Sequence, residues 1–306
     1  METIRLVAAL AVQKGWTIYQ LDVKSAFLHG ELNEVVFVEQ PCGYVQKGNE
    51  QKVYRLKKAL YGLKQAPRAW YSRIEAYFMK EGFEKCDYEH TLFIKTSKEG
   101  KVLIVSLYVD DLIFTGNDEL MFTEFKNSMK HEFDMIDLGK MRYFLGLEVL
   151  QRSDGVFISQ KKYALEVLKW FRMDKSNFVQ NPIVPSFKLM SDESGVKVDK
   201  TYYKQVVGSL MHLRATRPDM MFVVSLISMY MENPTKLHLQ VAKRVLSLQA
   251  AKRLLRYLKG TTRFGIFYRN GGDDELVTYT DSDHAGDLDD RKSTSGYVFL
   301  LSLEVV

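Results

Sequence analysis

Tyr108-Val109-Asp110-Asp111, set between the apolar runs Val102–Tyr108 and Leu112–Thr115, is the stretch whose reading decides the fold. Two runs of strand length meeting at two acids read as a β-hairpin with carboxylates at its tip. So tight a turn holds both acids at one edge of a sheet, away from a core. Adjacent carboxylates repel, so the pair persists either in water or on a divalent cation. For an isolated Asp-Asp the solvated turn is the commoner reading. A third acid, Asp22, follows the β-rich run Trp16-Thr-Ile-Tyr-Gln-Leu21 and would complete a hard-metal site. Carboxylates that clamp two ions about 4 Å apart suit an in-line phosphoryl displacement.

Two further segments stand at a telling spacing from the hairpin. Asp22 lies in Leu21-Asp-Val-Lys-Ser-Ala-Phe-Leu-His-Gly30, and Gly62 lies in Leu60-Tyr-Gly-Leu-Lys-Gln-Ala-Pro-Arg-Ala-Trp70. In this order the three segments resemble motifs A, B and C of a reverse transcriptase. Their wording is similar to that of copia-type LTR retrotransposons rather than gypsy-type elements or retroviruses. Tyr143-Phe-Leu-Gly-Leu-Glu148, Thr216-Arg-Pro-Asp219 and Tyr279-Thr-Asp-Ser-Asp-His-Ala-Gly-Asp287 extend the resemblance over essentially the whole chain.

Bulk properties agree with a folded, multidomain chain. With 306 residues, 46% of them hydrophobic and 26% charged, it can bury a core in two or three domains and is neither disordered nor fibrous. A net charge of +5 and a pI near 8.9 are mildly basic and compatible with a nucleic-acid partner. Its distribution says more: residues 233–272 contain no acid but nine Lys and Arg. Cys42 and Cys86 have no metal-type spacing, which points to a reducing compartment, and the six histidines suggest no zinc site. Leu6–Val12, behind Arg5, is short for a signal segment and reads better as a helix packed on a sheet. No stretch approaches the roughly 20 apolar residues of a membrane span, so no membrane partner is expected.

Local patterning predicts helices over Thr3–Lys14, closed by Gly15, and from Pro67 to about Lys80, stopped by Gly82. Trp70, Ile74, Tyr77 and Phe78 fall on one face of the second and are expected in the core. Strands are expected at Thr17–Leu21, Val35–Glu39, Val53–Leu56, near Met141–Leu150 and at Val156–Ser159, with a helix at about Leu120–Glu132. From residue 160 the character becomes helical: Lys162–Phe171, Tyr202–Arg214, Pro218–Met231 and Val241–Leu258, with Gln180–Lys200 as a connection. In the last helix Lys252, Arg256, Lys259 and Arg263 recur at helical spacing opposite leucines. Charged helix faces are usually solvated, yet this one carries a single sign, which suits phosphate contact. Ala242-Lys-Arg-Val-Leu246 is echoed nine residues on by Ala251-Lys-Arg-Leu-Leu255. Such an insertion would turn one helix face past its partners.

The resemblance implies an α+β polymerase palm of the right-hand fold with incomplete fingers over 1–159. It further implies a helical thumb and connection over 160–270, and a truncated RNase H-like hairpin over 271–306. It implies that Asp22, Asp110 and Asp111, with the backbone carbonyl of Val23, hold two Mg²⁺ ions, for which Mn²⁺ can substitute. Phe27 would lie under the incoming sugar and exclude a 2′-hydroxyl, although taken alone a Phe in an apolar run reads as core. Gly62 would allow close backbone approach and Lys64 would offer a phosphate charge. Leu145 and Gly146 would belong to a primer grip, with an ordinary strand pair as the plain alternative. Asp281 would be the first carboxylate of an RNase H remnant without activity.

The implied partners are a primed RNA or DNA template and dNTPs; an intact family member would act in cytoplasmic virus-like particles. Met1-Glu-Thr-Ile-Arg-Leu matches a point inside the family domain, so upstream fingers strands and their triphosphate-gripping cations are expected to be missing. Two readings follow: an RNA-directed DNA polymerase fragment, or a catalytically dead remnant that binds nucleic acid through its basic helix.

Overall fold

The computed structural model describes residues 2–183, 195–235, 250–272, 275–286, 291–302 and 304–306. The chain is mixed α/β. Its contacts divide it into one unit of residues 16–141 and another of 1–15 with 142–306.

α1 (Glu2–Gln13) buries Ile4, Val7, Ala8, Ala11 and Val12 along one face, as three- and four-residue spacing dictates. That face lies against the strands at 155–159 and 265–269, within the second unit. Gly15, at φ 68, ends the helix in the left-handed conformation that only glycine adopts cheaply.

The 16–141 unit runs β1 (Tyr19–Val23), a 3₁₀ turn (Ala26–His29), β2 (Phe37–Val38), β3 (Tyr54–Arg55), α2 (Ala66–Lys80), β4 (Glu84–Lys85), β5 (Leu92–Thr96), β6 (Val102–Tyr108), β7 (Asp111–Gly116), α3 (Glu119–Glu132) and β8 (Met135–Lys140). Six strands form an antiparallel sheet in the order β4-β5-β6-β7-β1-β8. Period-two alternation splits it into two faces. Leu103, Val105 and Leu107 of β6, Leu112 and Phe114 of β7, and Leu21 and Val23 of β1 pack against Trp70, Ile74 and Phe78 of α2 and Phe122, Phe125 and Met129 of α3. The alternate residues, among them Gln20, Asp22, Ser106, Tyr108 and Asp111, therefore lie on the face away from the helices. Pro67 sits in the first turn of α2, where its missing N–H costs nothing. Asp118 caps α3 by accepting the Met121 N–H at 2.8 Å.

Two features differ from expectation. Asp22 is inside β1 rather than after it, because β1 is paired on both edges, by β7 and β8. The strand expected near Met141–Leu150 is two, β9 (Tyr143–Phe144) and β10 (Leu147–Arg152), and an unexpected strand, β8, precedes them in the other unit.

β9 and β10 continue into β11 (Gly155–Ser159), and this sheet is completed by β12 (Gly265–Arg269) in the order β12-β11-β10-β9. Between them lie α4 (Lys161–Trp170), α5 (Lys200–Leu213), a 3₁₀ turn (Pro218–Met220), α6 (Met221–Ser228) and α7 (Ala250–Gly260). These helices share a core that includes Leu168, Tyr203, Leu210, Val224, Leu254 and Leu258. The β11–β12 pairing joins segments far apart in sequence, Gly155–Ser159 and Gly265–Arg269, within one unit. Thr216-Arg-Pro-Asp219 forms a latch. Arg217, its side chain 3% exposed, makes two bonds to the Asp219 carboxylate and donates to the Thr261 carbonyl and hydroxyl. Tyr257 donates its hydroxyl to Asp219 at 2.7 Å. β13 (Leu276–Ser282), β14 (Ser295–Leu301) and β15 (Glu304–Val305) form a final antiparallel sheet. The first copy of the repeated segment, Ala242–Leu246, and most of the Gln180–Lys200 connection lie outside the described residues. Among those described, no helix is long and apolar enough to cross a membrane.

Candidate active site

The β6–β7 hairpin closes through Val109 and Asp110, with Tyr108 and Asp111 as the last register pair. Val109 takes φ 57, a strained conformation for a β-branched residue. Two contacts hold it. Trp70 Nε1–H donates to the Val109 carbonyl at 2.5 Å, and the Val23 N–H donates to the Asp110 carbonyl at 2.8 Å. The second bond extends the β1–β7 ladder, in which Asp22 stands directly opposite Asp111. Side chains opposed across antiparallel strands share a face. Asp22 and Asp111 are therefore side by side on the sheet face turned away from α2 and α3, with Asp110 at the adjoining tip.

The electrostatics of the three acids are unfavourable without a counter-charge. The Asp22 carboxyl is pushed above the usual carboxylate range by burial and then by the Asp110 charge, while Lys24 pulls it back. Asp111 is pushed up by burial and by the charges of Asp22 and Asp110, against a lowering hydrogen bond from Gln20. That bond, Gln20 Nε2 to Asp111 Oδ1, spans 3.1 Å. Among the described residues no three carboxylate, imidazole or thiol groups converge closely enough to hold a metal in this conformation, which is how mutually repelling carboxylates arrange themselves. The donor set is nonetheless hard oxygen, drawn from two adjacent strands and their turn. Donors of this type suit hard divalent cations.

Phe27 lies on the 3₁₀ turn after β1, half-buried and packed against the edge of the core, its ring 4.8 Å from that of Tyr61 and tilted by 53°. Gly62, at φ 91, and Lys64 are exposed in the turn leading into α2. Val23 is buried in β1.

The remaining expected residues lie in the other unit. Leu145 (φ 49) and Gly146 (φ 84) form the two-residue turn between β9 and β10, both left-handed, the signature of a type I′ hairpin. A Cβ on Gly146 would come within 3.1 Å of His212 Nε2. Lys252, Arg256 and Lys259 lie on α7, but Arg263 does not. The helix stops at Gly260, and the Phe264 N–H bonds to the Thr261 carbonyl, so Arg263 sits in a turn. Arg256 Nε donates to the Asn177 carbonyl at 2.7 Å and Arg253 Nε to the Asn181 carbonyl at 3.0 Å. Part of the guanidinium capacity of this helix therefore secures its own chain. Asp281 is exposed on β13 opposite Gly296, its carboxylate accepting the Ser282 N–H.

Three residues of this region escaped the sequence reading: Gln20, Trp70 in its bonding role, and Tyr61. A signal exists for Gln20, which stands two residues before Asp22 in a strand and so shares its face.

Comparison with known proteins places these features in context. Residues 1–185 match the family described as "Reverse transcriptase (RNA-dependent DNA polymerase)". The chain is 41% identical to the retrovirus-related Pol polyprotein from transposon RE1 of Arabidopsis thaliana, over 98% of its own length and 20% of that protein. It is 37% identical to the Pol polyprotein from transposon TNT 1-94 of Nicotiana tabacum, over 99% of its length and 23% of that protein. A transposon Ty5-1 protein of Saccharomyces cerevisiae is 34% identical over 92% of this chain and 89% of its own length. The chain thus spans about a fifth of the plant polyproteins it matches.

Proposed function

This chain belongs to the reverse transcriptase (RNA-dependent DNA polymerase) family of copia-type retrotransposon Pol polyproteins, and from that premise we propose that it contributes the nucleotidyl-transfer centre of an RNA-directed DNA polymerase. The observation that carries the reading is the Asp22–Asp111 register pair with Asp110 at the adjoining turn. In this reading 1–159 is the palm with part of the fingers, 160–270 the thumb and connection, and 271–306 the start of an RNase H-like domain.

Asp22, Asp110 and Asp111, assisted by the Val23 carbonyl, would hold two divalent ions. Those ions would supply charge stabilisation for the triphosphate and a lowered pKa for the primer 3′-hydroxyl. The chain's own residues position the reactants. Trp70 and the Val23 N–H fix the strained turn, so the backbone that carries Asp110 and Asp111 is already in place when substrate arrives. Gln20 orients Asp111. Phe27, braced by Tyr61, stands where a 2′-hydroxyl would collide, which selects dNTPs. Lys64 offers charge to a phosphate, and Gly62 lets the backbone come close to nucleotide or template. Leu145-Gly146 presents a bare backbone turn for a primer end. Lys252, Lys259 and Arg263 are left for phosphate contact with the duplex, whereas Arg256 is partly committed to Asn177.

Primer extension on an RNA template with Mg²⁺ or Mn²⁺, beside the Asp110→Asn chain, tests this. Extension confined to the unsubstituted chain is expected. A folded chain that extends nothing, yet binds primer–template with a salt dependence that α7 charge reversal weakens, would instead establish a non-catalytic nucleic-acid binder.

A further inference from the structure

The Leu145-Gly146 turn is poorly equipped to hold itself. A type I′ turn favours Asn or Gly at its first central position, where φ is positive, and this chain has Leu145 there at φ 49. β9 and β10 meet through Phe144 opposite Leu147 and Tyr143 opposite Glu148, and their ladder goes no further. Phe144 and Leu147 are buried, which anchors the base of the hairpin rather than its tip. A leucine in this conformation persists where its surroundings over-determine it.

The support comes from α5. The His212 imidazole stands over the bare Cα of Gly146, where a Cβ would come within 3.1 Å of Nε2 and 3.9 Å of Cε1. Tyr163 of α4 meets the imidazole edge-on, with ring centres 4.7 Å apart and planes at 78°, and Trp170 meets Tyr163 in turn at 5.9 Å. The Tyr163 hydroxyl donates to the Ser209 carbonyl of α5 at 3.4 Å. Gln160, itself buried, donates to the His212 carbonyl at 3.3 Å and accepts the Thr216 hydroxyl at 2.9 Å. The circuit closes through β10, where the Glu148 carboxylate accepts the Lys162 N–H at the start of α4 over 2.5 Å. Turn, α5, α4 and β10 thus form one closed set of contacts, in which His212 meets the turn.

Core packing does not account for this histidine. Tyr203, Val206, Val207, Leu210 and Leu213 supply the buried face of α5, and His212 lies on its exposed side. Burial of the ring nonetheless pushes its pKa below the ordinary imidazole value, so at neutral pH it is an uncharged, planar spacer.

We propose that His212 is a positioning residue for the primer end: its imidazole occupies the space a Cβ would take at Gly146 and so fixes where the Leu145-Gly146 backbone lies. The inference deepens the polymerase reading and rests on it in one respect, that a primer meets this turn.

The test uses the full chain and two readouts. Hydrogen–deuterium exchange of residues 144–147 reports on the turn without substrate, and single-nucleotide extension gives the KM for primer–template, the KM for dNTP and kcat. His212→Ala is expected to speed that exchange roughly fivefold. It should raise the primer–template KM by a similar factor while the dNTP KM and the melting temperature stay put. His212→Gln, which keeps a neutral planar group near the Nε2 position, should recover most of both losses. Gly146→Ala puts a methyl group against the imidazole. Its penalty should be smaller by at least about threefold in the His212→Ala background, the coupling expected of groups in contact. Additive losses across that cycle, or unchanged exchange in His212→Ala, overturn the proposal. Equal changes in the two KM values do so as well, because they mark general loosening. A chain that extends no primer, yet shows the faster exchange and the coupling within it, keeps His212 as the prop of the turn and sinks the polymerase reading. A chain that extends and is indifferent to His212 does the reverse.

Discussion

Trp70 donates its indole N–H to the carbonyl of Val109 over 2.5 Å, tying the first turns of α2 to the tip of the β6–β7 hairpin. The same ring is 1% exposed and packs edge-on against Phe133. One side chain thus anchors a helix in the core and holds a left-handed valine beside two carboxylates.

Trp70→Phe keeps most of the apolar packing and removes the bond. A lost hydrogen bond of this kind is worth roughly 1 kcal/mol, which converts to a rate loss of about fivefold if the turn must be held for the transition state. Single-nucleotide extension kinetics should show the fall in kcat with little change in dNTP KM, and far-UV circular dichroism should be unaltered. A pure KM effect would mean that the bond positions substrate rather than the acids.

Asp22 and Asp111 titrate above the ordinary carboxylate range. The folded chain then retains protons that the unfolded chain has released, so stability falls as pH rises from the ordinary carboxylate pKa through the raised one. At neutral pH that cost is fully present. Asp111→Asn keeps an acceptor for Gln20 and removes one charge. Its melting temperature in EDTA should rise by about 2 °C, the shift expected for somewhat under 1 kcal/mol in a partly exposed site. Stabilisation by Mg²⁺, read in the same scan, should shrink or vanish in this variant. A lower melting temperature in EDTA would show that the charge is already compensated by the protein.

Phe27 and Tyr61 pack ring against ring. Phe27→Ala should reduce the preference for dNTP over rNTP by at least about tenfold, since on the proposed reading a cavity then replaces the ring that meets the 2′-hydroxyl. Tyr61→Ala should move the ratio in the same direction by a smaller factor, because Phe27 loses its brace at 4.8 Å. Competing dNTP and rNTP incorporation on one template measures both.

Arg217→Ala leaves the Asp219 carboxylate, held below its ordinary range chiefly by Arg217, without its main partner. Breaking a pair this buried should cost about 3 kcal/mol. Urea unfolding followed by circular dichroism checks it. A midpoint shift under a third of that size would show the latch to be redundant with the Tyr257 bond.

The hairpin and its two acids were legible because two apolar runs of strand length and the turn acids between them all lie within 14 consecutive residues, 102–115. α2 was legible for a similar reason, with Pro67 at one end and Gly82 at the other. β8 was missed because Met135-Ile-Asp-Leu-Gly-Lys140 has weak alternation and owes its strand state to pairing with β1, more than 110 residues earlier. β4 and β5 escaped because Cys86–Thr91 interrupts them with polar residues. Trp70 was read as core, which it is, but helical periodicity says nothing about where an indole N–H points. Charge spacing put Arg263 on the basic helix, whereas Gly260-Thr-Thr ends that helix one turn earlier. The same spacing assigned Arg256 to a phosphate without revealing that Asn177 engages its Nε.

Gly30 has a consequence for how this chain can change over time. Residues 30–59 form an arm whose root is an antiparallel ladder, with the Ala59 N–H on the Gly30 carbonyl, and the bare Cα of Gly30 lets that root rest directly on the backbone of α2, so even a methyl group there would force the two apart. That joint is a fixed pivot, and its position does not depend on what lies farther out. The arm can be lengthened, shortened or resurfaced beyond the pivot while the Asp22 strand behind it stays in register. The reach of the arm and the position of the acids behind it are thereby free to evolve on separate clocks.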